Sequence, residues 1–334
     1  VGRGACPSDS FYALQSNPLR AAERDEAARP VVSMGGRQTC SRARLNCRWR
    51  LCGTYRPDNG PAVAKSNLTV RVLTSVVALP LLLGLLFFGP PLAWACLLFA
   101  ASAVAAFELF SMTVGRDTLL RAAGITATVV VGVTLYLASH DARVLVTLCL
   151  LVTLAGLLIP LFRVSDIARS GLQLTSLVAG PWYVGALLAS LALLRRDFGA
   201  GWVVLVLSLA WLADTGGYFV GRRFGNAKLY PTVSPKKTWA GLYGALLGST
   251  LAGMVAALTY LPELRLSHAL VLGLLGGVVG QLGDLVESLL KRSVGVKDSG
   301  TIIPGHGGIL DRIDAVLFVA PLTYIYALWF AAAR

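Results

Sequence analysis

A chain of 334 residues with 55% hydrophobic and only 14% charged residues, at a mean hydropathy of +0.67, falls well short of the roughly 25% charge of a soluble domain. It reads as an all-α, polytopic integral membrane protein. The net charge of +13 sits in short basic clusters beside apolar runs, as in membrane-flanking loops that meet anionic headgroups, and this argues against nucleic acid as a partner.

Residues 1–64 are Arg-rich, hold Cys6, Cys40, Cys47 and Cys52, and lack any periodicity that could support a core, so a disordered basic N-terminal extension is expected there. The cysteine spacing fits no zinc pattern, and no apolar signal-peptide core precedes it. Residues 65–334 form the membrane domain. Apolar runs of the roughly 20 residues needed to cross a bilayer fall near 70–89, 92–114, 119–138, 144–162, 172–194, 201–220, 239–261, 268–290 and 313–332, which predicts about nine transmembrane helices.

The breaks after even-numbered helices hold Arg116 and Arg121, then Arg163 and Arg169, then Arg222, Arg223, Lys228, Lys236 and Lys237, then Lys291, Arg292, Lys297 and Arg312. Odd breaks hold only Arg143, Arg195, Arg196 and Arg265. The positive-inside rule therefore puts the N-terminus and the even breaks in the cytoplasm.

Glu108, in the second run, is an intramembrane acid and so a functional candidate, although a structural pairing with a basic residue of the headgroup zone suits its position equally well. Asp214 closes the sixth run, where a charge needs a partner. After Arg222, Arg223 and Lys228 come Ser234, Pro235, Lys236, Lys237 and Thr238. These supply two ammonium groups and two hydroxyls at an expected helix start, a natural grip for polyphosphate. Gly241, Gly244 and Gly248, like Gly273, Gly276, Gly277 and Gly280, recur at near-helical spacing and predict close helix packing.

The densest polar chemistry is Ser288–Asp314, SLLKRSVGVKDSGTIIPGHGGILDRID. If the eighth helix continues into it, Asp284, Ser288 and Lys291 share a face. Lys291, Arg292 and Lys297 add positive charge, and the loop Pro304, Gly305, His306, Gly307, Gly308 offers unobstructed N–H groups to a phosphate. Asp311 and Asp314 open the last run, where acids also suit a helix N-terminus. Carboxylates facing bound phosphates imply a divalent cation, Mg²⁺ by default.

Ser288, Lys291, Arg292, Lys297, Asp298, Gly300, Ile303, Pro304, His306, Gly307, Gly308, Ile309, Asp311, Arg312, Ile313 and Asp314 match without a gap the signature of the phosphatidate cytidylyltransferase (CDP-diglyceride synthase) family, which the chain resembles. The resemblance extends through AWLADTGGYFVGRRFG, with Gly217 where Ala is commoner, and SPKKTWAG, then loosely from about Asn67 to the C-terminus. Residues 1–64 show none of it, which is compatible with an arm arising from a misassigned start codon.

The resemblance implies that CTP and phosphatidate form CDP-diacylglycerol and pyrophosphate, a lipid phosphate oxygen attacking the α-phosphorus in line. It implies Asp284 and Asp311 as metal ligands, with Asp314 and Asp214 as additional or supporting acids. Lys291, Arg292, Lys297, Asp298, His306 and Arg312 become catalytic candidates; Ser234, Lys236, Lys237, Thr238, Ser288, Gly307 and Gly308 become substrate-binding candidates. For His306 a phosphate-donor role is preferred to a proton shuttle, since an ionised phosphate needs no general base. A monovalent cation beside Mg²⁺ and a homodimer both stay open. The expected setting is a bacterial inner membrane with the site facing the cytoplasm.

Neutralising Asp284 or Asp311 is expected to abolish turnover with the fold intact. Lys236 or Lys237 is expected within about 15 Å of Asp284 or Asp311, because the reacting groups must meet while the remote end is gripped. A CTP-dependent lipid-alcohol kinase is the runner-up, and a transporter ranks a distant third because the polar residues cluster at one face and no internal repeat is visible.

Overall fold

The computed structural model describes Val76 and residues 78–164, 167–300 and 307–331; the extension expected over 1–64 lies outside the described residues. A short apolar helix α1 spans Ala78–Phe88. It is followed by α2 (Pro91–Thr113), α3 (Thr118–Ala138), α4 (Ala142–Leu161) and α5 (Ile167–Gly180). A π-helical segment, Pro181–Ala186, joins α5 to α6 (Leu187–Asp197). Then come α7 (Ala200–Phe224), α8 (Trp239–Thr259), α9 (Leu266–Ser293) and α10 (Leu310–Tyr326), which ends in a second π-helical turn, Ala327–Ala331.

With α5 and α6 taken as one span, eight described helices are long and apolar enough to cross a membrane. Together with α1 they occupy the nine expected positions. Their outer faces carry side chains such as Phe88, Phe162 and Trp329, exposed by 92%, 81% and 74%. Such surfaces suit lipid, not water. Helices are the fitting element here, because each satisfies its own backbone hydrogen bonds where no water can.

One element departs from the all-helical expectation. Between α7 and α8 the chain forms an antiparallel hairpin of β1 (Lys228–Tyr230) and β2 (Ser234–Thr238), pairing Lys228 with Thr238 and Tyr230 with Ser234. The run expected at a helix start is therefore a strand. Pro235 disfavours the helical region for Ser234 and is tolerated in a two-stranded hairpin, which is all edge. Only Thr238 reaches the helix: as N-cap of α8 its hydroxyl accepts from the Gly241 N–H at 3.1 Å.

The glycines behave as packing surfaces. A Cβ on Gly216 of α7 would strike the Gly244 carbonyl of α8, and one on Gly248 would strike the Leu212 carbonyl. Further along, a Cβ on Gly273 of α9 would lie 2.6 Å from Thr250 Cα of α8, and one on Gly283 would lie 2.7 Å from the Asp314 carbonyl of α10. Small residues thus bring α7 to α10 backbone against backbone. Trp94, Phe110, Leu120, Leu205, Leu209 and Leu317 fill the core beside them.

Charged side chains finish several helix ends. Arg195 donates to the carbonyls of Leu86 and Gly89 at 2.8 and 3.3 Å, closing α1. Arg196 donates to the Tyr136 carbonyl and, at 2.9 Å, to the Ser139 hydroxyl, closing α3. Asp117 opens α3, accepting from the N–H groups of Leu119 and Leu120 at 3.0 and 3.1 Å, and pairs with Arg163 at 3.3 Å.

The Leu120 N–H, with Arg163, holds the Asp117 carboxyl below its ordinary range. A group depressed on folding stabilises fully above its unfolded value and loses that contribution as pH falls through the lowered one. Replacing Asp117 by Ala should cost about 1 kcal/mol of stability through the lost cap. Asp117→Asn keeps the capping oxygen and should lose only the small worth of an exposed ion pair. Denaturant unfolding compares the two; equal losses would shift the weight from the cap to the ion pair.

Candidate active site

The site is built where α9 outruns the bilayer. Its 28 residues span about 42 Å at 1.5 Å per residue, against roughly 30 Å of hydrocarbon, so Asp284 and the turns after it approach one membrane surface. The hairpin between α7 and α8 meets α9 there. Lys237 Nζ lies 2.9 Å from Asp284 Oδ2 and donates to the Gln281 carbonyl at 3.1 Å. The proximity expected between Lys236 or Lys237 and Asp284 is thus present, as a direct contact of the hairpin with α9.

Around this pair is a cavity of about 420 Å³ lined by Asp214, Gly217, Tyr218, Gly221, Arg222, Ser234, Lys236, Lys237, Thr238, Gly241, Leu242, Gln281 and Asp284. Ser288 donates its hydroxyl to Asp284 Oδ1 at 3.2 Å, so both oxygens of that carboxylate are engaged. Asp214 of α7 and Asp314 of α10 both interact electrostatically with Asp284 and with Lys237. Acids from three helices therefore act electrostatically on one ammonium, and Asp284 contacts it.

A second charged centre lies one to two turns further along α9. Lys291 Nζ is 2.6 Å from Glu287 Oε2 and 2.6 Å from Asp311 Oδ1. Glu287 is 1% exposed and Lys291 9%. The other Asp311 oxygen accepts from the N–H groups of Ser299 and Gly308 at 3.0 and 3.2 Å. Asp311 is thus fully committed within the protein. The expectation that its charge could be removed without consequence for the fold is accordingly revised: an Asn amide would turn an N–H group toward either the Lys291 ammonium or the two backbone donors.

Glu108 also changes role. Its partner is not a basic residue but the start of α10: Oε1 accepts from the Ile309 N–H at 3.0 Å, and Oε2 from the Leu310 N–H at 2.9 Å and the Ser299 hydroxyl at 3.1 Å. A buried carboxylate on an uncapped helix N-terminus satisfies orphan donors and suits the dipole there. Gly300 and Gly308 are glycines because this carboxylate lies against both; a Cβ on Gly300 would sit 2.7 Å from Glu108 Oε1. Gly307 has a φ of +82°, which favours glycine. The Gly308 N–H, expected to face a phosphate, instead serves Asp311.

Of the remaining candidates, Lys297, Asp298 and Arg312 are exposed, as is Arg292, which donates to the Val296 carbonyl at 3.1 Å. His306 lies outside the described residues, as do Ile303, Pro304 and Gly305. Among the described residues, no group of three or more His, Cys, Asp or Glu side chains is placed to hold a metal ion. Sequence reasoning passed over Glu287, Gln281 and Ser299. Glu287 had a signal, an acid one helical turn before Lys291 inside an apolar run; the other two act through a backbone carbonyl and a loop hydroxyl that no pattern marks.

The chain matches the sequence profile described as the cytidylyltransferase family over residues 69–330. The phosphatidate cytidylyltransferase of Staphylococcus haemolyticus is 34% identical over 259 residues, 77% of this chain and 97% of that protein. The protein of the same name from Brucella suis is 43% identical over 156 residues, 46% of this chain and 57% of the relative, and that from Staphylococcus epidermidis is 45% identical over 130 residues, 39% and 50%. In the latter two matches, the chain spans about half the length of the curated relatives.

Replacing Glu108 by Ala would leave the Ile309 and Leu310 donors and the Ser299 hydroxyl without their acceptor. At roughly 1–3 kcal/mol for each buried unsatisfied group, the variant should unfold at a markedly lower temperature in detergent. Glu108→Gln, which keeps one acceptor oxygen, should fall between it and wild type. A thermal midpoint unchanged in Glu108→Ala would dismiss the capping role.

Proposed function

Because the chain belongs to the cytidylyltransferase family, we propose that it transfers the cytidylyl group of CTP to phosphatidate, giving CDP-diacylglycerol and pyrophosphate at a membrane surface. The observation that carries this reading is the contact of Lys237 with Asp284. It joins the basic hairpin and the acidic helix end in one cavity, whose volume of about 420 Å³ falls within the roughly 300–1,000 Å³ of small-molecule sites.

In this reaction a lipid phosphate oxygen attacks the α-phosphorus of CTP, and the bond from that phosphorus to the bridging oxygen of the leaving pyrophosphate breaks. Both partners are anionic. Catalysis therefore consists mainly of positioning and of neutralising charge. Lys236, Lys237 and Arg222 line the cavity and bind the nucleotide phosphates, with Ser234 as a further donor. Lys291 has three N–H donors, two of them engaged by Glu287 and Asp311, and offers the third to a phosphate oxygen. The exposed Arg292, Lys297 and Arg312 draw in the lipid phosphate.

Asp284 and Asp214, which line the cavity, are the proposed carboxylates for Mg²⁺, with Asp314 as a supporting acid, since this ion takes few protein oxygens and keeps the rest of its shell for water and substrate phosphates. When bound, the ion would neutralise charge on the phosphate oxygens of the reacting and leaving groups. Asp311 is a weaker ligand candidate, being held by Lys291 and two backbone donors. The excess of basic residues at the hairpin and after α9 supports an orientation with this end in the cytoplasm, and the bacterial relatives support a bacterial inner membrane.

Purified protein given phosphatidate, Mg²⁺ and CTP labelled at the α-phosphorus should move label into lipid and release unlabelled pyrophosphate. Label entering lipid from the γ-phosphorus would replace this reading with a kinase. Asp284→Asn should lose at least about a thousandfold in turnover, the scale on which removing a transition-state charge partner is felt, with an unfolding midpoint close to wild type. Turnover near wild type in that variant would remove Asp284 from the metal site.

A further inference from the structure

Gln281 interrupts the apolar run of α9 one turn before Asp284. Gln281, Asp284 and Ser288 stand at i, i+3 and i+7, so an amide, a carboxylate and a hydroxyl share one helix face. The first two line the cavity, and Ser288 holds the second. The Gln281 backbone carbonyl accepts from Lys237 Nζ at 3.1 Å, which ties this turn of α9 to the hairpin. Its side chain extends toward α7: Nε2 would lie 4.0 Å from a Cβ on Gly217, another residue of the cavity wall.

Among the described residues no hydrogen bond engages the Gln281 amide, which carries two donors and an acceptor. A polar group in an apolar helix is costly unless water or a ligand meets it. An amide cannot neutralise a phosphate, and Arg222, Lys236 and Lys237 already line the cavity for that purpose. It suits a neutral group of a ligand.

Depth in the membrane selects that group. The exposed Arg265, N-cap of α9, marks the far boundary of the bilayer. From Leu266, the first residue of α9, Gln281 lies about 22 Å along the axis and Asp284 about 27 Å, at 1.5 Å per residue. Both fall within the roughly 30 Å of hydrocarbon, and Gln281 is the deeper. CTP arrives from water, whereas phosphatidate arrives from the bilayer with ester carbonyls on the acyl side of its phosphate. Those carbonyls are the neutral acceptors that a bilayer supplies on the hydrocarbon side of Asp284.

We propose that Gln281 is a specificity-determining residue for the lipid: its amide donates to an ester carbonyl of phosphatidate while the lipid phosphate is held one turn nearer the surface, beside Asp284. The identity of the lipid rests on the proposed reaction. The site thereby recognises a diacyl lipid by its ester linkage as well as by its charge.

The test crosses a change in the protein with a change in the lipid. Wild type and Gln281→Leu are each given diacyl phosphatidate and its dialkyl ether analogue, which has no carbonyls. Wild type should lose about tenfold in kcat/KM on the ether, through KM, the scale of one hydrogen bond made in ground state and transition state alike. Gln281→Leu should show that loss already on the diacyl lipid and no further loss on the ether, with the KM for CTP within about twofold of wild type. Equal use of the two lipids by wild type overturns the contact, as does a Gln281→Leu loss that persists in full on the ether. A loss confined to the KM for CTP overturns it too, by giving the amide to the nucleotide. The unfolding midpoint of Gln281→Leu should not fall below wild type, since no protein partner is lost; a clear fall would make the amide structural and overturn the proposal. Native mass spectrometry of either lipid bound to either protein in detergent repeats the comparison without turnover. A diacyl preference present in wild type and absent in Gln281→Leu sustains the contact even if wild type shows no cytidylyl transfer, a result that would remove the reaction alone; no diacyl preference in wild type overturns the contact.

Discussion

The arrangement hangs on one buried carboxylate. Glu108 accepts from both backbone N–H groups at the entry to α10 and from the Ser299 hydroxyl of the preceding loop. Buried away from water, those donors have no alternative, so the carboxylate fixes where α10 begins. The start of α10 determines where Asp311 and Asp314 stand, the first 2.6 Å from Lys291 and the second within electrostatic reach of Asp284. One carboxylate on α2 thereby sets the position of two on α10.

The two ammonium centres differ in burial, and burial decides what each can do. Lys291 is enclosed with Glu287 and Asp311, and removing one member of such a group leaves an uncompensated charge at a cost of roughly 3–5 kcal/mol. The Lys237 and Asp284 side chains remain 14% and 33% exposed, in a cavity that water reaches. Their attraction is weaker in that setting, so incoming ions and phosphates can exchange for it. One centre is fixed so that the other can be rearranged.

The helices were legible because a bilayer accepts so few sequence patterns; even the packing glycines announced themselves by spacing. The charged groups of α9 and α10 were legible for the complementary reason, that acids and bases in an apolar run rarely occur without a task. What escaped was tertiary. Ser234–Thr238 looked like a helix start because Thr238 is one, and the local pattern gave no sign that the run would also pair with Lys228–Tyr230, Thr238 opposite Lys228. Asp311 and Asp284 looked like a matched pair, yet Lys291 and two backbone donors claimed the first.

The link from Glu108 to α10 joins residues 201 and 202 positions apart, whereas α7 with α8, and α8 with α9, pack as neighbours in the chain. During synthesis the neighbouring hairpins can close as they emerge, but Glu108 enters the bilayer long before its partners exist. Until the last span arrives, an acid in α2 and an ammonium in α9 both lack their full complement of partners. The nascent protein thus carries its own record of incompleteness, a pair of polar defects that only the final helix removes, and a chain that stalls before α10 differs chemically from a finished one within the membrane itself.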